Sequence, residues 1–296
     1  MNSPAARVDP AAVRRILRDA GLRAHHGLSQ HFLADVAVLE AILAEADPGT
    51  GARVVEIGPG LGILTEALLD AGASVVAIEV DRGLAAFLRE RLAGPIAAGR
   101  LALVEADALD LDLDGVAAPP YDVVANLPYH ITSPILHRFL GASPRPRRLV
   151  LMLQREVAER IAAPAGAMSY LSVFVQYHAR VRIAFRVPPS AFEPAPAVES
   201  AVAVLEPYPD DDRPLDPTGE EALWRLVQAA FRERRKMLHN VLARQLPIGP
   251  DRVAAALDGA GIDPARRPQT VAVGEWLALL AALGPIGPDE RGRRSR

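Results

Sequence analysis

The chain of 296 residues contains no cysteine. This absence excludes a disulfide framework, a thiolate zinc site, an iron–sulfur cluster and a cysteine nucleophile. Long apolar runs are also missing, because the longest candidate, Trp276 to Leu283, is far shorter than the roughly 20 residues that cross a bilayer. The first residues carry arginines but no apolar segment of the kind found in secretory signals. We therefore expect a cytoplasmic protein that does not associate with membranes.

Lysine is almost absent, since Lys236 is the only one, and 33 basic against 36 acidic residues give a formal charge of -3. This near-neutral total hides local basic clusters. Arg232, Arg234, Arg235 and Lys236 form one of them, interrupted only by Glu233. Phosphates respond to the local field, so such a chain can bind nucleic acid. Arginine runs are more often simply solvated, and the cluster alone is a weak signal.

Short apolar runs alternate with helical patterns over the first two thirds of the chain, which predicts parallel βαβ units and an α/β sheet covered on both faces. The predicted strands are 53–57, 74–79, 101–106, 121–126 and 147–153. The runs 171–187 and 200–207 read as further strands, in a hairpin or antiparallel edge. Helices are predicted at 219–231, 234–245, 250–259 and 274–283.

These patterns predict a domain organisation. An N-terminal extension with one helix precedes a large α/β domain, and a proline-rich linker leads to a smaller all-helical domain with a basic tail. The predicted boundaries are 1–24, 25–206, 207–217, 218–285 and 286–296.

A glycine-rich segment, Gly58-Pro59-Gly60-Leu61-Gly62, follows the first predicted strand and opens a helix. Glycines there let the backbone approach a ligand and present helix N-terminal N–H groups. The spacing is GxGxG rather than the GxGxxG of a dinucleotide site, and Pro59 removes a donor that a pyrophosphate would use. A tight turn with no ligand is the alternative interpretation.

Acids follow at the ends of the next two strands. Glu79 ends the second predicted strand, where a carboxylate accepts two ribose hydroxyls in nucleotide-binding folds. Asp107 ends the third, where it can accept from an adenine amino group. Either acid alone is equally typical of a solvated strand end, but both together with Gly58 predict a nucleoside site, because ligands bind at the carboxyl ends of parallel strands. No paired metal-type histidines are visible, so we predict no metal.

Asn126-Leu127-Pro128-Tyr129 directly follows the fourth predicted strand. Pro128 stiffens the turn, so that flanking carbonyls can point into a pocket, while Asn126 supplies a side-chain acceptor and Tyr129 a flat face. An exocyclic amine on a nucleobase needs this set, because its lone pair is delocalised into the ring. Two acceptors help the nitrogen to pyramidalise, and aromatic stacking holds a base that has left its helix.

Together these segments resemble the ribosomal RNA adenine N6-dimethyltransferases. The resemblance rests on the runs SQHFLAD (29–35), VVEIGPGLGILTEALL (54–69), AIEVD (77–81), EADAL (105–109) and NLPYHITSPIL (126–136). It extends over nearly the whole chain through QREVAERI (154–161), LSVFVQY (171–177), FEPAPAVESAV (192–202), AAFRERRKMLHNVL (229–242) and RRPQTVAVGEW (266–276), which are most similar to the KsgA-type branch.

The resemblance implies a Rossmann-like class I methyltransferase sheet that uses S-adenosylmethionine, with a smaller helical domain. It implies an enzyme of ribosome biogenesis that converts two adjacent adenosines near the 3′ end of small-subunit (16S) rRNA to N6,N6-dimethyladenosine. The expected partner is the 30S subunit, and we expect a monomer. By the same resemblance, His31, Leu33, Gly58, Gly60, Glu79, Asp107 and Asn126 bind the donor, Asn126, Leu127, Pro128 and Tyr129 form the catalytic turn, and Arg234, Arg235 and Lys236 contact RNA phosphates.

The chain departs from the family pattern at several positions. His25-His26 replaces a lysine pair, Ser29 a glycine, Met168-Ser169-Tyr170 a Tyr-Gly-Arg, and Ala197 a lysine. These changes affect the expected RNA surface, not the donor site. Three alternatives stay open: a large-subunit (23S) rRNA methylase of the resistance branch, a ribosome-assembly factor without catalysis, and, less favoured, a DNA adenine methylase.

Overall fold

The computed structural model describes residues 8–24, 30–111, 118–128 and 131–286. The predicted features at His25-His26, Tyr129 and 287–296 lie outside these residues. The chain divides into two compact units. The first takes its residues from Met1–Glu159 and Ala179–Pro207, and the second from Arg160–His178 and Tyr208–Arg296.

The first unit contains the sheets. The strands are β1 (Phe32–Leu33), β2 (Arg53–Ile57), β3 (Ser74–Glu79), β4 (Leu101–Glu105), β5 (Asp122–Asn126), β6 (Arg148–Gln154), β7 (Ala179–Val187), β8 (Phe192–Glu193) and β9 (Ser200–Pro207). Seven of them form one sheet in the order β4-β3-β2-β5-β6-β9-β7. The pairs among β2 to β6 are parallel, and β9 runs antiparallel to both β6 and β7. The predicted α/β class with an antiparallel edge is confirmed.

The predicted strands 53–57 and 74–79 match β2 and β3 to the residue. Their burial explains the match: Val54, Val55 and Val75 are almost completely buried, since helices cover both faces of a parallel sheet. The helices of this unit are α1 (Pro10–Asp19), α2 (Val36–Ala46), α3 (Ile63–Asp70), α4 (Arg82–Arg91), α5 (Ala93–Ala97) and α6 (Thr132–Gly141), and α7 (Arg155–Ile161) spans the division between the units.

A separate two-stranded ribbon joins β1 to β8, with Phe32 opposite Glu193 and Leu33 opposite Phe192. The sequence pattern did not predict it, because two-residue strands carry no periodicity. Helix α1 packs next to it through Val13, which shares a buried cluster with Phe32. The helix expected in the N-terminal extension is therefore part of the first unit.

The second unit is helical, with α8 (Tyr170–His178), α9 (Pro217–Phe231), α10 (Leu238–Gln245), α11 (Pro250–Gly259) and α12 (Val273–Leu283) around one core. The prediction of a strand over 171–178 is wrong, because these residues form α8. A continuous apolar run fits a buried helix as well as a buried strand. Val173 and Tyr177 of α8 pack with Leu223 of α9, so residues 160–178 belong to the helical core rather than to the α/β unit.

The helix predicted from residue 234 begins four residues later, at Leu238. Helix α9 ends at Phe231, and the backbone N–H of Lys236 donates to the carbonyl of Glu233 at 2.8 Å. This bond closes a turn over the basic cluster. Arg234, Arg235 and Lys236 are all exposed there.

Candidate active site

An open cleft lies at the carboxyl ends of β2, β3 and β5. The chain runs outward from β2 through β3 to β4 and then returns to β5 on the opposite side of β2. Loops that leave the two sides of such a switch point diverge and leave a crevice, where ligands bind in open α/β sheets. The crevice collects the predicted donor residues and most of the catalytic turn: His31, Leu33, Gly58, Gly60, Glu79, Asp107, Asn126, Leu127 and Pro128.

The glycine loop forms the floor of this cleft. Gly58 and Gly60 have φ of 67° and 58°, a left-handed conformation that side chains rarely adopt. A Cβ at Gly60 would stand 3.1 Å from the ring of Phe32, and the N–H of Gly58 donates to the carbonyl of Ile78 at 2.9 Å. At Gly58 and Gly60 the loop thus presents backbone rather than a side chain to the cleft.

Glu79 is held from both sides. One carboxylate oxygen accepts from the N–H of Gly60 at 3.1 Å, and the other from the N–H of Asp81 at 2.9 Å. Burial raises the pKa of Glu79, while these two backbone bonds oppose that shift. Each oxygen keeps further lone pairs, so the group can accept two neighbouring hydroxyls.

Asp107 is exposed at the rim, two residues beyond β4. One of its oxygens accepts from the N–H of Leu109 at 2.8 Å, and the residue lines the cleft. His31 also lines the cleft, and its Nδ1 lies 2.8 Å from the carbonyl of Pro194.

The turn after β5 is anchored at two points. The N–H of Leu127 donates to the carbonyl of Met152 at 3.2 Å, and the amide Nδ2 of Asn126 donates to the carbonyl of His31 at 3.0 Å. With its nitrogen occupied, Asn126 presents Oδ1 as an acceptor. The carbonyl of Pro128 accepts from the N–H of Ile131 at 3.2 Å, whereas the Leu127 carbonyl has no hydrogen-bond donor among the described residues.

Glu56 lies beneath the cleft and is only 1% exposed. Its carboxyl accepts from the hydroxyl of Thr65, itself buried, at 2.6 Å. Burial raises the pKa of Glu56 to about 8, with Glu79 adding to the shift and the Thr65 bond opposing it. At neutral pH the group is therefore largely a neutral acid.

Sequence reasoning missed several lining residues. Phe32 packs under the glycine loop, Val80 is an apolar side chain left 52% exposed next to Glu79, and Ile131 closes the side beyond Pro128. An apolar residue directly after the ribose-type acid was a readable signal for Val80, because a base needs a flat apolar contact. The other two arise from long-range packing.

Among the described residues, no group of three or more His, Asp or Glu side chains is placed to hold a metal ion. No described helix is long and apolar enough to cross a membrane.

The switch-point cleft, the backbone-held acid on β3 and the polar turn after β5 define a class I methyltransferase that takes its methyl group from S-adenosylmethionine. The residues fit that donor: glycines leave room for its methionine part, Glu79 offers paired acceptors for a ribose, and Val80 and Asp107 suit an adenine face and its amine.

Comparisons with known proteins support this assignment to the methyltransferases. The family model described as Ribosomal RNA adenine dimethylase matches residues 21–283, and the chain belongs to that family. It is 44% identical over 287 residues to Ribosomal RNA small subunit methyltransferase A of Anaeromyxobacter dehalogenans (strain 2CP-C), covering 92% of this chain and 97% of the relative. It is 43% identical over 278 residues to the protein of that name from Sphingopyxis alaskensis, covering 92% and 98%.

Two solved structures share the fold. A dimethyladenosine transferase from Plasmodium falciparum matches with a TM-score of 0.71 and 25% identity, over 85% of this chain and 96% of that one. The 23S rRNA methyltransferase ErmE matches with a TM-score of 0.67 and 30% identity, over 85% and 99%. The predicted class I methyltransferase fold and the predicted family are confirmed.

Proposed function

We propose that this chain transfers methyl groups from S-adenosylmethionine to N6 of two adjacent adenosines near the 3′ end of small-subunit (16S) rRNA. The product is N6,N6-dimethyladenosine, and the step serves small-subunit biogenesis. The observation that carries the proposal is the Asn126-Leu127-Pro128 turn, whose two acceptors share the cleft with Glu79 and Asp107. The small-subunit methyltransferases that match 92% of the chain favour this RNA as substrate.

The chemistry follows from these two acceptors. Asn126 Oδ1 and the Leu127 carbonyl each accept one N–H of the adenine amine, which turns the nitrogen lone pair out of the ring plane. When bound, S-adenosylmethionine supplies a methyl group on a cationic sulfur, and the sulfur leaves as a neutral thioether. The methylated nitrogen then loses its proton to water, so no strong base is required. Catalysis rests on positioning.

Each site residue has a proposed role. His31, Leu33, Gly58, Gly60, Glu79 and Asp107 bind the donor, and Asn126 lies between donor and target. Tyr129, outside the described residues, stacks on the target base. Arg234, Arg235 and Lys236 contact RNA phosphates from the exposed turn between α9 and α10. We further propose that the partner is the 30S subunit, that the enzyme is a monomer, and that it acts in the cytoplasm, because its substrate is ribosomal RNA.

The test uses purified protein, labelled S-adenosylmethionine, and small and large subunits from a strain that lacks the modification. Label in small-subunit RNA, recovered as dimethyladenosine after nuclease digestion, is the expected result. Label only in large-subunit RNA would move the protein to the branch that includes the 23S enzyme with 30% identity. Tight subunit binding with no label would leave an assembly factor. Sedimentation of the free protein tests the monomer.

A further inference from the structure

The turn between α9 and α10, residues 232–237, combines the cations of the proposed RNA contact with a single acid, Glu233. We call this segment the basic turn. Arg232, Arg234, Arg235 and Lys236 are exposed, whereas Glu233 is half-buried. From charge alone, an acid inside a phosphate-binding turn should weaken binding, because it lowers the local positive field.

The structure directs this acid away from the exposed cations. Nη1 of Arg244, on α10, donates to both carboxylate oxygens of Glu233, at 2.9 and 3.2 Å. Nε2 of Gln245 donates to the same carboxylate at 3.0 Å. The charge of Glu233 is therefore countered from α10.

Gln245 also reaches the start of the turn, since its Oε1 accepts from Nη1 of Arg232 at 3.1 Å. The backbone bond from Lys236 N–H to the Glu233 carbonyl closes the turn. At the far end, the N–H of Leu238 donates to the carbonyl of Arg266 at 2.7 Å. Side-chain and backbone bonds thus hold the basic turn at both ends, and those of Glu233 hold its start.

We propose that Glu233 is a positioning residue for RNA binding: clamped by Arg244 and Gln245, it holds the basic turn in the form in which Arg234, Arg235 and Lys236 meet phosphates together. This inference rests on the proposed function, which places those three cations on RNA. A turn ordered before binding avoids the loss of conformational freedom that a loose turn incurs on binding. The acid therefore favours the binding of an anion.

If Glu233 positions the turn, its loss should weaken RNA binding. If it acted only through its charge, its loss should strengthen RNA binding. Arg244 in the Glu233–Arg244 pair is 59% exposed and Glu233 is 24% exposed, and ion pairs at the surface contribute little to stability, so Glu233→Ala should still fold. It removes one negative charge from the turn, and it also removes the clamp. We expect weaker RNA binding, by about three- to tenfold, because the side chains must now be ordered on binding.

The experiment measures binding of the full chain to unmethylated small-subunit rRNA over a range of salt concentrations. For Glu233→Ala we expect the lower affinity at an unchanged slope of log K against log salt, since the same phosphates are contacted. The KM for RNA should rise while kcat and the KM for the donor stay constant. Glu233→Gln, whose amide oxygen can still accept from Arg244 and Gln245, should restore binding to within about twofold. Glu221→Ala removes an exposed acid of α9 and serves as the matched control, with equal or tighter binding expected.

Binding of Glu233→Ala as tight as, or tighter than, that of the wild type would overturn the inference. The triple variant Arg234→Ala, Arg235→Ala, Lys236→Ala tests whether the basic turn contacts RNA at all. It therefore distinguishes a failure of this inference from a failure of the proposed RNA contact. If the turn contacts RNA, the triple variant should lower the salt slope by about three. If the triple variant binds like the wild type, the basic turn is not an RNA contact, and both the proposed contact and this inference are wrong.

Discussion

At the scale of single residues, the proposed mechanism depends on acceptor atoms that have no hydrogen-bond donor among the described residues. The His31 carbonyl accepts from the amide nitrogen of Asn126, and this bond orients the amide oxygen that we propose accepts from the target amine. The two N–H groups that hold Glu79 act likewise, since they fix the carboxylate while lone pairs remain for a ribose. Orientation is thus built into the backbone before any ligand binds.

Asn126→Ala should lower kcat by about 10²- to 10³-fold, the usual effect of removing one preorganised hydrogen-bonding group from a transition state. Donor affinity should change only a few-fold, because the glycine loop and Glu79 are untouched. Single-turnover rates and donor titration of the same variant measure both quantities. Wild-type turnover would refute the role of this side chain.

Glu56 should make stability depend on pH. Its folded-state pKa of about 8 lies above the ordinary value of 4.5. The stabilisation linked to its proton is therefore complete below about pH 4.5 and is lost as the pH rises through 8. Glu56→Gln, which is always neutral, should flatten the fall in urea midpoint across this window.

The matched control for that experiment is Glu66→Gln on α3. Glu66 forms an ion pair with Arg91 at 2.8 Å near the surface. This variant should keep the wild-type pH dependence between 4.5 and 8. An equal change in both variants would show that burial of Glu56 is not the cause.

At the scale of elements, the sequence predicted best where burial is uniform. β2 and β3 were located to the residue because short apolar runs between polar turns are typical of buried parallel strands, and their strand-end acids followed from the same boundaries. α8 was mistaken for a strand because LSVFVQY is a mostly apolar run that is buried on nearly all sides of the helix. Phe32 and Pro194 were not predicted as site residues. Phe32 contacts Gly60, and the Pro194 carbonyl lies next to His31, and local periodicity gives no information on contacts between residues so far apart in sequence.

The start of α3 offers an element-scale test. Gly62 has φ of 81°, and a Cβ there would lie 2.8 Å from Leu88 of α4. Gly62→Ala should therefore destabilise the first unit by about 2–4 kcal/mol, through backbone strain and overpacking together. Gly94→Ala in α5, where a Cβ meets nothing within 4 Å, should be neutral or slightly stabilising. Urea unfolding measures both, and equal stabilities would contradict the packing argument.

At the scale of the whole molecule, the helical unit is formed by two separate segments of the chain, Arg160–His178 and Tyr208–Arg296. A truncation after the first segment therefore leaves part of the helical core without the rest. The predicted domain boundary at 206 suggests that a chain ending at Pro207 should fold as a complete α/β unit. The structure groups residues 160–178 with the helical unit instead, where Met168, Val173 and Tyr177 are buried in its core. Removing residues 208–296 would expose these side chains, and each large apolar side chain left in water costs about 1.5–3 kcal/mol.

We therefore expect the chain that ends at Pro207 to bind a hydrophobic dye and to aggregate on heating well below the melting temperature of the full protein. A chain that ends at Ile286 is the control, because it keeps every described member of the helical core and should melt like the full protein. Replacing Val173 and Tyr177 by polar residues in the shorter chain should reduce dye binding, because the exposed face of α8 is its source. If the chain that ends at Pro207 melts at the same temperature as the full protein and binds no dye, the α/β unit folds independently of these contacts. The apolar side chains of α8 would then be buried against other residues.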